Sequence, residues 1–417
     1  MSFKCYSVEE ILSYARKHSP YYAELYKDLP EHVTLEQLPL IDQADFWKHC
    51  DKRGGTVATR PQTDGQIFKS GGTTGDPKYS LYSAEEWQTM CECSGAVLQR
   101  SGLKNGARVA NLFYAGGLYA SFLYTYSMLY FAPAKTIMYH LSGNISIEEM
   151  VDTILTHQID TVCGIPSILT KICSYIEEHH LTGFAVDTIY FAGESLFQDQ
   201  RDKICKVFGR EISFRSIFYA SNDGGPIGYF TKDCGFNEHR TLSDLTYLEL
   251  IDPDTGEVIR EPNRPGVIYI TSLFKTLIPL IRYPAGDMGV YTEPEGVSDR
   301  KFKILGRSNV AARAGYVTLY PLDVGRVLKK CGIDFYSYQI IVDHDVKDRF
   351  TFKIAVPDGT SPDVETFLNA LYEERPLLPD ALREDMMLPP VVLFCKPNEL
   401  EYNSRTGKLK VIIDRRL

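Results

Sequence analysis

A short stretch rich in glycine and hydroxyl side chains, from Lys69 to Lys78, has the residue types best suited to chemistry. Between the two lysines stand Ser70, Gly71, Gly72, Thr73, Thr74, Gly75, Asp76 and Pro77. Glycine lets the main chain turn several N–H groups toward one point, and the hydroxyl groups add uncharged donors. Such a loop suits a polyphosphate. It lacks the Gly-Lys-Ser/Thr of a Walker loop, and an ordinary surface turn is the alternative interpretation.

A second stretch, Phe218 to Pro226, combines an aromatic pair with small polar residues and the acid Asp223. An aromatic ring offers a stacking face, small residues let the backbone approach a ligand, and a carboxylate can bind a metal ion. Gly193-Glu194 follows a short apolar run and can border a ligand in the same way. Taken singly, each of these stretches is also typical of a turn.

The elements predicted around these stretches alternate between strands and helices. Apolar runs at 108–113, 160–164 and 188–192 predict strands, and the runs at 146–157 and 167–179 predict helices. This alternation is typical of a crossover α/β sheet. Ligands bind beyond the carboxyl ends of the strands in such sheets, which is where we expect the glycine-rich loop.

The sequence pattern changes after about residue 240. Segments 245–252 and 266–272 predict antiparallel β structure around a turn at 253–256. From about residue 310, a predicted order of helix, strand, strand, helix and strand indicates a compact α+β unit. Its elements are predicted at 322–331, 337–344, 349–356, 362–374 and 390–396.

Composition argues against several classes of function. A chain of 417 residues with 44% hydrophobic and 24% charged residues is typical of a globular protein with two or three domains. The net charge of −9 argues against a nucleic-acid partner. The ten cysteines are scattered without a disulfide framework, which indicates a reducing, cytoplasmic compartment. The uncharged segment Val109–Ala134 contains Gly116-Gly117 and many polar side chains, so it predicts a strand, a turn and a buried helix rather than a membrane span.

Motifs in their usual order make the chain similar to adenylate-forming enzymes, the acyl- and aryl-CoA ligase superfamily, and in particular to its phenylacetate–CoA ligase branch. Ser70–Lys78 resembles the family's Ser-Gly-Thr-Thr-Gly loop, and Tyr219–Asp223 stands at the place of its Tyr-Gly-x-x-Glu motif. Ile278–Asp287 resembles the Leu-Ile-Arg-Tyr…Asp stretch of that branch. Leu305–Asn309 resembles the interdomain Gly-Arg-Ser-Asp-Asp motif, and Arg405–Lys410 the C-terminal Gly-Lys motif.

The resemblance implies a fold and a division into domains. It predicts a large N-terminal adenylation domain over residues 1–306, with a crossover α/β sheet and a β subdomain, a hinge at 307–310 and a small mobile α+β domain over 311–417. Members of the family rotate the small domain between two half-reactions. Asn309 stands at the family's hinge position, and Gly315 would let a pantetheine arm pass close to the backbone.

The resemblance also implies which residues bind ATP and Mg²⁺. The phosphate-binding residues would be Ser70, Gly71, Gly72, Thr73, Thr74, Gly75 and Lys78, and those around adenine and ribose Ala192, Gly193, Glu194, Tyr219, Ala220, Ser221, Asn222, Asp287 and Arg307. Tyr219 would stack on adenine, Asp287 would accept hydrogen bonds from both ribose hydroxyls, and Arg307 would help to fix the ribose. Asp223 stands at the position of the family's magnesium-linked Glu. Because its side chain is one methylene shorter, direct and water-mediated binding of the ion both stay open.

Lys408 is the residue that the resemblance assigns to the chemistry. A carboxylate that attacks the α-phosphate of ATP must overcome the repulsion between two anions. An ammonium group on a long stem can bridge the two and offset that repulsion. A solvated lysine in a charged tail, near Arg405 and Lys410, is the alternative interpretation.

The implied acid-binding residues are Tyr114, Gly116, Gly117, Tyr119, Ser121 and Phe218. Ser121 stands where the family usually carries a histidine, so the pocket is expected to differ from one for phenylacetate. The aromatic side chains favour an aromatic or bulky acid, with core packing as the alternative. Segment 292–303 lacks the cysteine cluster that could hold zinc in related enzymes, so we predict no structural metal.

The sequence therefore predicts activation of a carboxylic acid by ATP and Mg²⁺, which gives an acyl-adenylate and pyrophosphate, followed by transfer to the thiol of CoA or of a carrier protein. Transfer to an amine, as in antibiotic assembly, or to a cysteine of a partner protein is the alternative within this chemistry. Outside it, the alternatives are a nucleotide-binding scaffold without catalysis and a P-loop-type phosphotransferase, against which the missing Walker lysine counts. Homodimerisation is expected from the family alone.

Overall fold

The computed structural model of this chain describes residues 5–69, 78–142, 145–193, 196, 198–253, 255–307, 312–314, 317–345, 347–402 and 407–416. Its α-helices are α1 (Val8–His18), α2 (Pro20–Leu25), α3 (Gln43–His49), α4 (Ala84–Arg100), α5 (Ser121–Phe131), α6 (Ile147–Thr156), α7 (Pro166–Glu178), α8 (Gln198–Phe208), α9 (Pro321–Lys330), α10 (Val364–Glu374) and α11 (Leu377–Arg383).

The strands come in chain order between these helices. They are β1 (Gln66–Lys69), β2 (Tyr79–Tyr82), β3 (Arg108–Asn111), β4 (Ile137–His140), β5 (Thr161–Gly164), β6 (Thr188–Phe191), β7 (Ser213–Ser216), β8 (Tyr219–Ser221), β9 (Gly225–Tyr229), β10 (Glu238–Thr241), β11 (Thr246–Ile251), β12 (Val258–Ile259), β13 (Pro265–Ser272), β14 (Tyr283–Tyr291), β15 (Lys301–Arg307), β16 (Ala312–Ala314), β17 (Val317–Leu319), β18 (Ser337–His344), β19 (Asp348–Ala355), β20 (Val391–Cys395) and β21 (Ile412–Asp414).

Helix starts follow the capping residues in the sequence. Ser7 accepts from the backbone N–H of Glu10 at 3.2 Å, and the Glu10 carboxylate accepts from the backbone N–H of Ser7 at 2.7 Å, so a capping box opens α1. Ser83 and Glu86 form the same box at α4. In these boxes the side chains satisfy N–H groups that have no partner within the helix.

The uncharged segment from Val109 to Ala134 forms the predicted strand, turn and helix, but the helix is only partly buried, with Tyr130 exposed. The first residues of the segment belong to β3, Gly116 and Gly117 take positive φ values of 102° and 57°, and α5 follows. Positive φ is accessible to glycine because it has no Cβ. No helix in the described parts of the chain is both long and apolar enough to cross a bilayer.

Internal packing divides the chain into two units. The first contains Met1–Asn144, Thr161–Cys163 and Arg215–Ser308, and the second contains Ile145–Asp160, Gly164–Phe214 and Asn309–Leu417. The division predicted from the sequence, with domains at 1–306 and 311–417 and a hinge at 307–310, stays a prediction.

The first unit holds parallel and antiparallel β structure. Strands β4, β3 and β5 run parallel in that order. An eight-stranded antiparallel sheet has the order β12-β11-β13-β14-β15-β10-β9-β8. Helices α1 to α3 contribute Ile11, Tyr22 and Phe46 to a buried cluster that includes Phe302 of this sheet. The same sheet carries Tyr219 on β8 and Asp287 on β14.

The second unit contains the C-terminal α+β structure that the sequence predicts. Its four-stranded sheet has the order β20-β19-β18-β21, with β18 and β19 antiparallel. Side chains of α9 and α10 pack on it, and the core includes Val324, Phe350, Phe352, Phe367 and Leu371. Helices α6, α7 and α8 and strand β6 belong to the same unit. This unit carries Gly193 and Lys408.

Candidate functional site

The chain on both sides of the glycine-rich loop is held by strand pairing. Lys69 at the end of β1 pairs with Tyr79 on β2, and its N–H donates to Leu118 O at 2.8 Å. Lys78 Nζ donates to Gln43 Oε1 at 2.8 Å and lies 5.5 Å from the centroid of the Trp47 ring. The predicted phosphate-binding residues Ser70, Gly71, Gly72, Thr73, Thr74 and Gly75 lie outside the described residues.

Asp223 is held at both carboxylate oxygens by residues that are distant in sequence. Ser80 Oγ on β2 donates to Oδ1 at 2.7 Å, and Tyr283 OH donates to Oδ2 at 2.9 Å. The Tyr283 hydroxyl in turn accepts from Trp47 Nε1 at 2.8 Å and from Gln43 Nε2 at 3.0 Å. A carboxylate has about four acceptor positions, so each oxygen of Asp223 can take another partner. The geometry joins Asp223 to the strand that follows the glycine-rich loop.

The turn that carries Asp223 is also fixed through its main chain. Tyr82 OH donates to Asn222 O at 2.9 Å, and Lys275 Nζ donates to Asp223 O at 2.8 Å. The same ammonium lies 3.7 Å from the centroid of the Tyr82 ring. Asn222 Nδ2 donates to Ser80 Oγ at 3.1 Å. These contacts leave the Asp223 carboxylate on a rigid support.

Lys275 is a residue that the sequence analysis missed. It is 1% exposed, and burial lowers the pKa of its ammonium to about 8, against the opposing effect of Glu86 and Asp223. A lone lysine within the apolar run from Val267 to Ile281 is the signal that could have revealed it. Its partners could not have been inferred, because they come from distant parts of the chain.

Two of the predicted adenosine-binding residues contact each other. Tyr219 OH donates to Asp287 Oδ2 at 2.8 Å. The Tyr219 ring lies 5.8 Å from Phe302 and 6.1 Å from His239, both of which are buried. Ala220 and Ser221 follow on β8, and the Ser221 hydroxyl accepts from Gly224 N at 2.9 Å. The side chain of Arg307, at the end of β15, is not among those described.

Lys408 lies against Gly193, which follows β6 after Ala192. Gly193 has a φ of 83°, and a Cβ placed on it would lie 2.9 Å from both Cε and Nζ of Lys408. A residue other than glycine would therefore displace the ammonium or strain the backbone. The structure thus brings together two predicted site residues from distant motifs. Glu194 lies outside the described residues.

The predicted acid-binding residues fall into two groups. The rings of Tyr114 and Tyr119 are 6.3 Å apart and inclined by 70°, on either side of Gly116 and Gly117. Phe218, by contrast, is 4% exposed and packs on Tyr124 of α5 at 6.2 Å.

Ser121 is the first residue of α5, and its buried Oγ has no hydrogen-bond partner among the described residues. Tyr124 packs on Phe218, and its hydroxyl lies 2.6 Å from Ser94 Oγ. Tyr124 was not predicted from the sequence as a neighbour of the acid-binding residues. It lies one helical turn after Ser121 on the same face of α5, and this spacing is the available signal.

The Asp223 carboxylate is suited to bind Mg²⁺ together with phosphate oxygens of a nucleotide. No group of three or more His, Cys, Asp or Glu side chains suitable for a metal occurs among the described residues. Mg²⁺ commonly binds through one or two carboxylates together with phosphate oxygens and water. Asp223, with acceptor capacity left on both oxygens, fits that mode of binding.

This chain is similar in sequence to known proteins over nearly its whole length. A phenylacetate–coenzyme A ligase from Aromatoleum evansii is 25% identical over 404 residues, which cover 93% of this chain and 87% of the relative. An indoleacetate–lysine synthetase from Pseudomonas savastanoi is 24% identical over 275 residues, or 63% of this chain and 60% of the relative. The sequence matches no protein-family profile.

A solved structure extends the likeness to the fold. A 2-hydroxyisobutyryl-CoA ligase in the postadenylation state, in complex with R3-HIB-AMP, superposes with a TM-score of 0.77 at 16% identity. The superposition covers 98% of this chain and 88% of that chain. The likeness supports the fold class, which combines a parallel sheet, an antiparallel sheet and C-terminal α+β structure.

Proposed function

We propose that this chain is a member of the adenylate-forming CoA ligase superfamily, and that it activates a carboxylic acid with ATP and transfers the acyl group to CoA. The observation that carries the proposal is the likeness to a phenylacetate–coenzyme A ligase over 93% of the chain. An aromatic or bulky acid is the proposed substrate class, since Tyr114 and Tyr119 present adjoining rings in the predicted acid-binding segment.

In the first half-reaction, a carboxylate oxygen attacks the α-phosphorus of ATP and pyrophosphate leaves. Lys408 is the proposed catalytic residue, because its ammonium can contact both anions while negative charge accumulates between them. Its position beside Gly193 supports this role, since that glycine leaves space at the tip of the side chain. The products are an acyl-adenylate and pyrophosphate.

The residues around Asp223 are proposed to bind the nucleotide and its metal. Tyr219 and Asp287, which are joined by a hydrogen bond, would contact the adenosine. Asp223 would hold Mg²⁺ directly or through water, and the ion would neutralise charge on the phosphate oxygens. Ser80 and Tyr283 orient the carboxylate, and Lys275 fixes the backbone behind it.

In the second half-reaction, the CoA thiolate attacks the acyl carbonyl carbon and AMP leaves. Gly315 and Asn309 are proposed to take part in this step through the pantetheine path and the hinge, and both lie outside the described residues. Homodimerisation and a cytoplasmic location remain predictions.

Exchange of labelled pyrophosphate into ATP tests the first half-reaction. With a panel of aryl, fatty and hydroxy acids, at least one acid should drive exchange, and Lys408→Ala should slow it by about 100- to 1,000-fold because an electrostatic contact in the transition state is lost. Lys410→Ala is the matched control and should keep at least half of the activity. Unchanged exchange in Lys408→Ala would contradict the assigned role.

Transfer to an amine is the second candidate function. It is favoured by the likeness to an indoleacetate–lysine synthetase, although that likeness covers only 63% of this chain. Incubation of the accepted acid with ATP and either CoA or lysine distinguishes the two acceptors. A thioester product supports the first proposal, and an amide formed without CoA supports the second.

A further inference from the structure

Tyr402 and Gly407, which lie close to Lys408 in the sequence, both contact one face of α7. Tyr402 and Leu409 pair as an isolated antiparallel bridge, so Tyr402 is joined directly to the residue after Lys408. Ser167 Oγ donates to Gly407 O at 3.4 Å, and Lys171 Nζ lies 3.5 Å from the centroid of the Tyr402 ring. Ser167 and Lys171 are about one helical turn apart, so they share a face of α7.

The contact between Lys171 and Tyr402 has the geometry of a cation–π interaction, in which an ammonium lies within about 6 Å of a ring centroid. The Tyr402 ring is anchored at its other end, because its hydroxyl donates to Pro397 O at 2.7 Å. Both side chains are half-buried, so water weakens the attraction less than at a fully exposed site. Tyr402 thus connects α7 to Leu409, the residue after Lys408.

We propose that Lys171 is a positioning residue, which holds Lys408 beside Gly193 through Tyr402 during activation of the acid. The inference rests on the proposed function, because that function assigns Lys408 to this step. A lysine side chain has many rotamers, and a fixed backbone restricts where its ammonium can reach. Loss of the anchor should therefore lower the rate of the first half-reaction without affecting transfer to the thiol.

The test compares two rates in the full-length protein. Pyrophosphate exchange with the accepted acid reports the first half-reaction, and thioester formation from the added acyl-adenylate and CoA reports the second. Lys171→Gln should lower kcat for exchange by about 5- to 30-fold. Thioester formation should stay within about twofold of the wild type, because Lys408 is proposed to act only in the first step. Lys206→Gln, an exposed substitution on α8, is the matched control and should leave both rates unchanged.

Conservative variants separate positioning from a general loss of structure. Lys171→Arg keeps a cation above the aromatic ring and should retain most of the exchange activity. Tyr402→Phe keeps the ring but loses the hydrogen bond to Pro397 O, so its activity should lie between those of Lys171→Arg and Tyr402→Leu. Tyr402→Leu should lower kcat for exchange by about as much as Lys171→Gln does. The double variant should be little slower than either single variant, because the two residues act together. Melting temperatures within a few degrees of the wild type would show that the variants fold.

Several results would overturn the proposal. Normal exchange in Lys171→Gln would remove the positioning role while leaving the proposed function intact. An equal loss in both half-reactions, or additive losses in the double variant, would also contradict it. Absence of exchange in the wild type with every acid of the panel would refute the proposed function, and the positioning role with it.

Discussion

Lys275 shows how one buried charge supports the candidate site. It donates to the main chain of Asp223 at 2.8 Å and lies above the Tyr82 ring, while Tyr82 itself holds Asn222. Burying an ammonium is costly unless it gains such partners. The cost is visible in its pKa, which burial lowers to about 8 from an ordinary value of 10.5. This lysine therefore supports the turn that carries Asp223.

Replacement of Lys275 by methionine should change how stability depends on pH. Above pH 8 the folded chain releases the Lys275 proton while the unfolded chain still holds it, so the free energy of unfolding of the wild type rises until about pH 10.5. Lys275→Met lacks this gain. Urea denaturation should show the wild type gaining about 1 to 2 kcal/mol over the variant between about pH 8 and about pH 9.5. Exposed Lys48→Met is the control, and parallel curves for wild type and Lys275→Met would contradict the expectation.

Arg282 is a motif residue that forms a buried ion pair within the first unit. It is 3% exposed, has a φ of 48°, and its Nη2 lies 3.0 Å from Glu249 Oε1. Its Nη1 donates to Leu38 O at 2.6 Å. The motif located Asp287 from sequence, but it could not reveal that the neighbouring arginine lies in the core. That role depends on Glu249 and Leu38, which are distant in sequence.

Helix α4 is fixed within the first unit by Glu86, a member of its capping box. Glu86 Oε2 accepts from Ser83 N at 2.9 Å in the capping box. Its other oxygen accepts from the backbone N–H groups of Thr276 and Leu277, both at 2.6 Å. One carboxylate thereby joins the start of α4 to the segment that carries Lys275. The box at α1, formed by Ser7 and Glu10, is exposed, and its side chains make local contacts only within the described parts of the chain.

The two capping boxes should differ in their contribution to stability. Glu86→Ala leaves buried N–H groups without partners, so it should lower the free energy of unfolding by about 3 to 5 kcal/mol. Glu10→Ala, the matched control, should cost about 0.5 to 1 kcal/mol, because water can replace the lost contact. Chemical denaturation of the two variants measures the difference. Equal losses would show that the contact with Thr276 and Leu277 contributes little.

Considered as a whole, the chain assembles its candidate residues from distant motifs within each unit. In the first unit, Asp223 contacts Ser80 and Tyr283; in the second, Lys408 lies against Gly193. Each pair connects segments that are far apart in sequence. The proposed alternation between two half-reactions adds a further requirement, namely a hinge at 307–310.

A substitution at the predicted hinge should separate the two half-reactions. Asn309→Pro fixes φ near −65° and removes an N–H group, so it should restrict rotation at this position. Pyrophosphate exchange should stay within about threefold of the wild type, while thioester formation from acid, ATP and CoA should fall by about tenfold or more. Asn309→Gly, which keeps the rotational freedom, is the control. Equal loss of both rates in the proline variant would contradict the hinge assignment.

Local elements were predicted well where periodicity and capping residues are strong. The predicted helix at 322–331 corresponds to α9, and the predicted strands at 337–344 and 349–356 correspond to β18 and β19. The large antiparallel sheet was predicted only in part, because β11 and β13 have clear patterns while β14 and β15 contain many glycine and charged residues. Strand pairing compensates there for weak local preference.

The sequence by itself determined the order of the motifs, the α/β class and the C-terminal α+β structure, and it predicts chemistry at the glycine-rich loop and Lys408. These features depend on residue type and short spacing, which are local properties of the chain. Only the tertiary structure decided that Lys275 supports the turn of Asp223, that Arg282 lies in the core, and that Lys171 lies against the Tyr402 ring. Such contacts join distant segments, so they form only when folding brings those segments together, and burial then strengthens them.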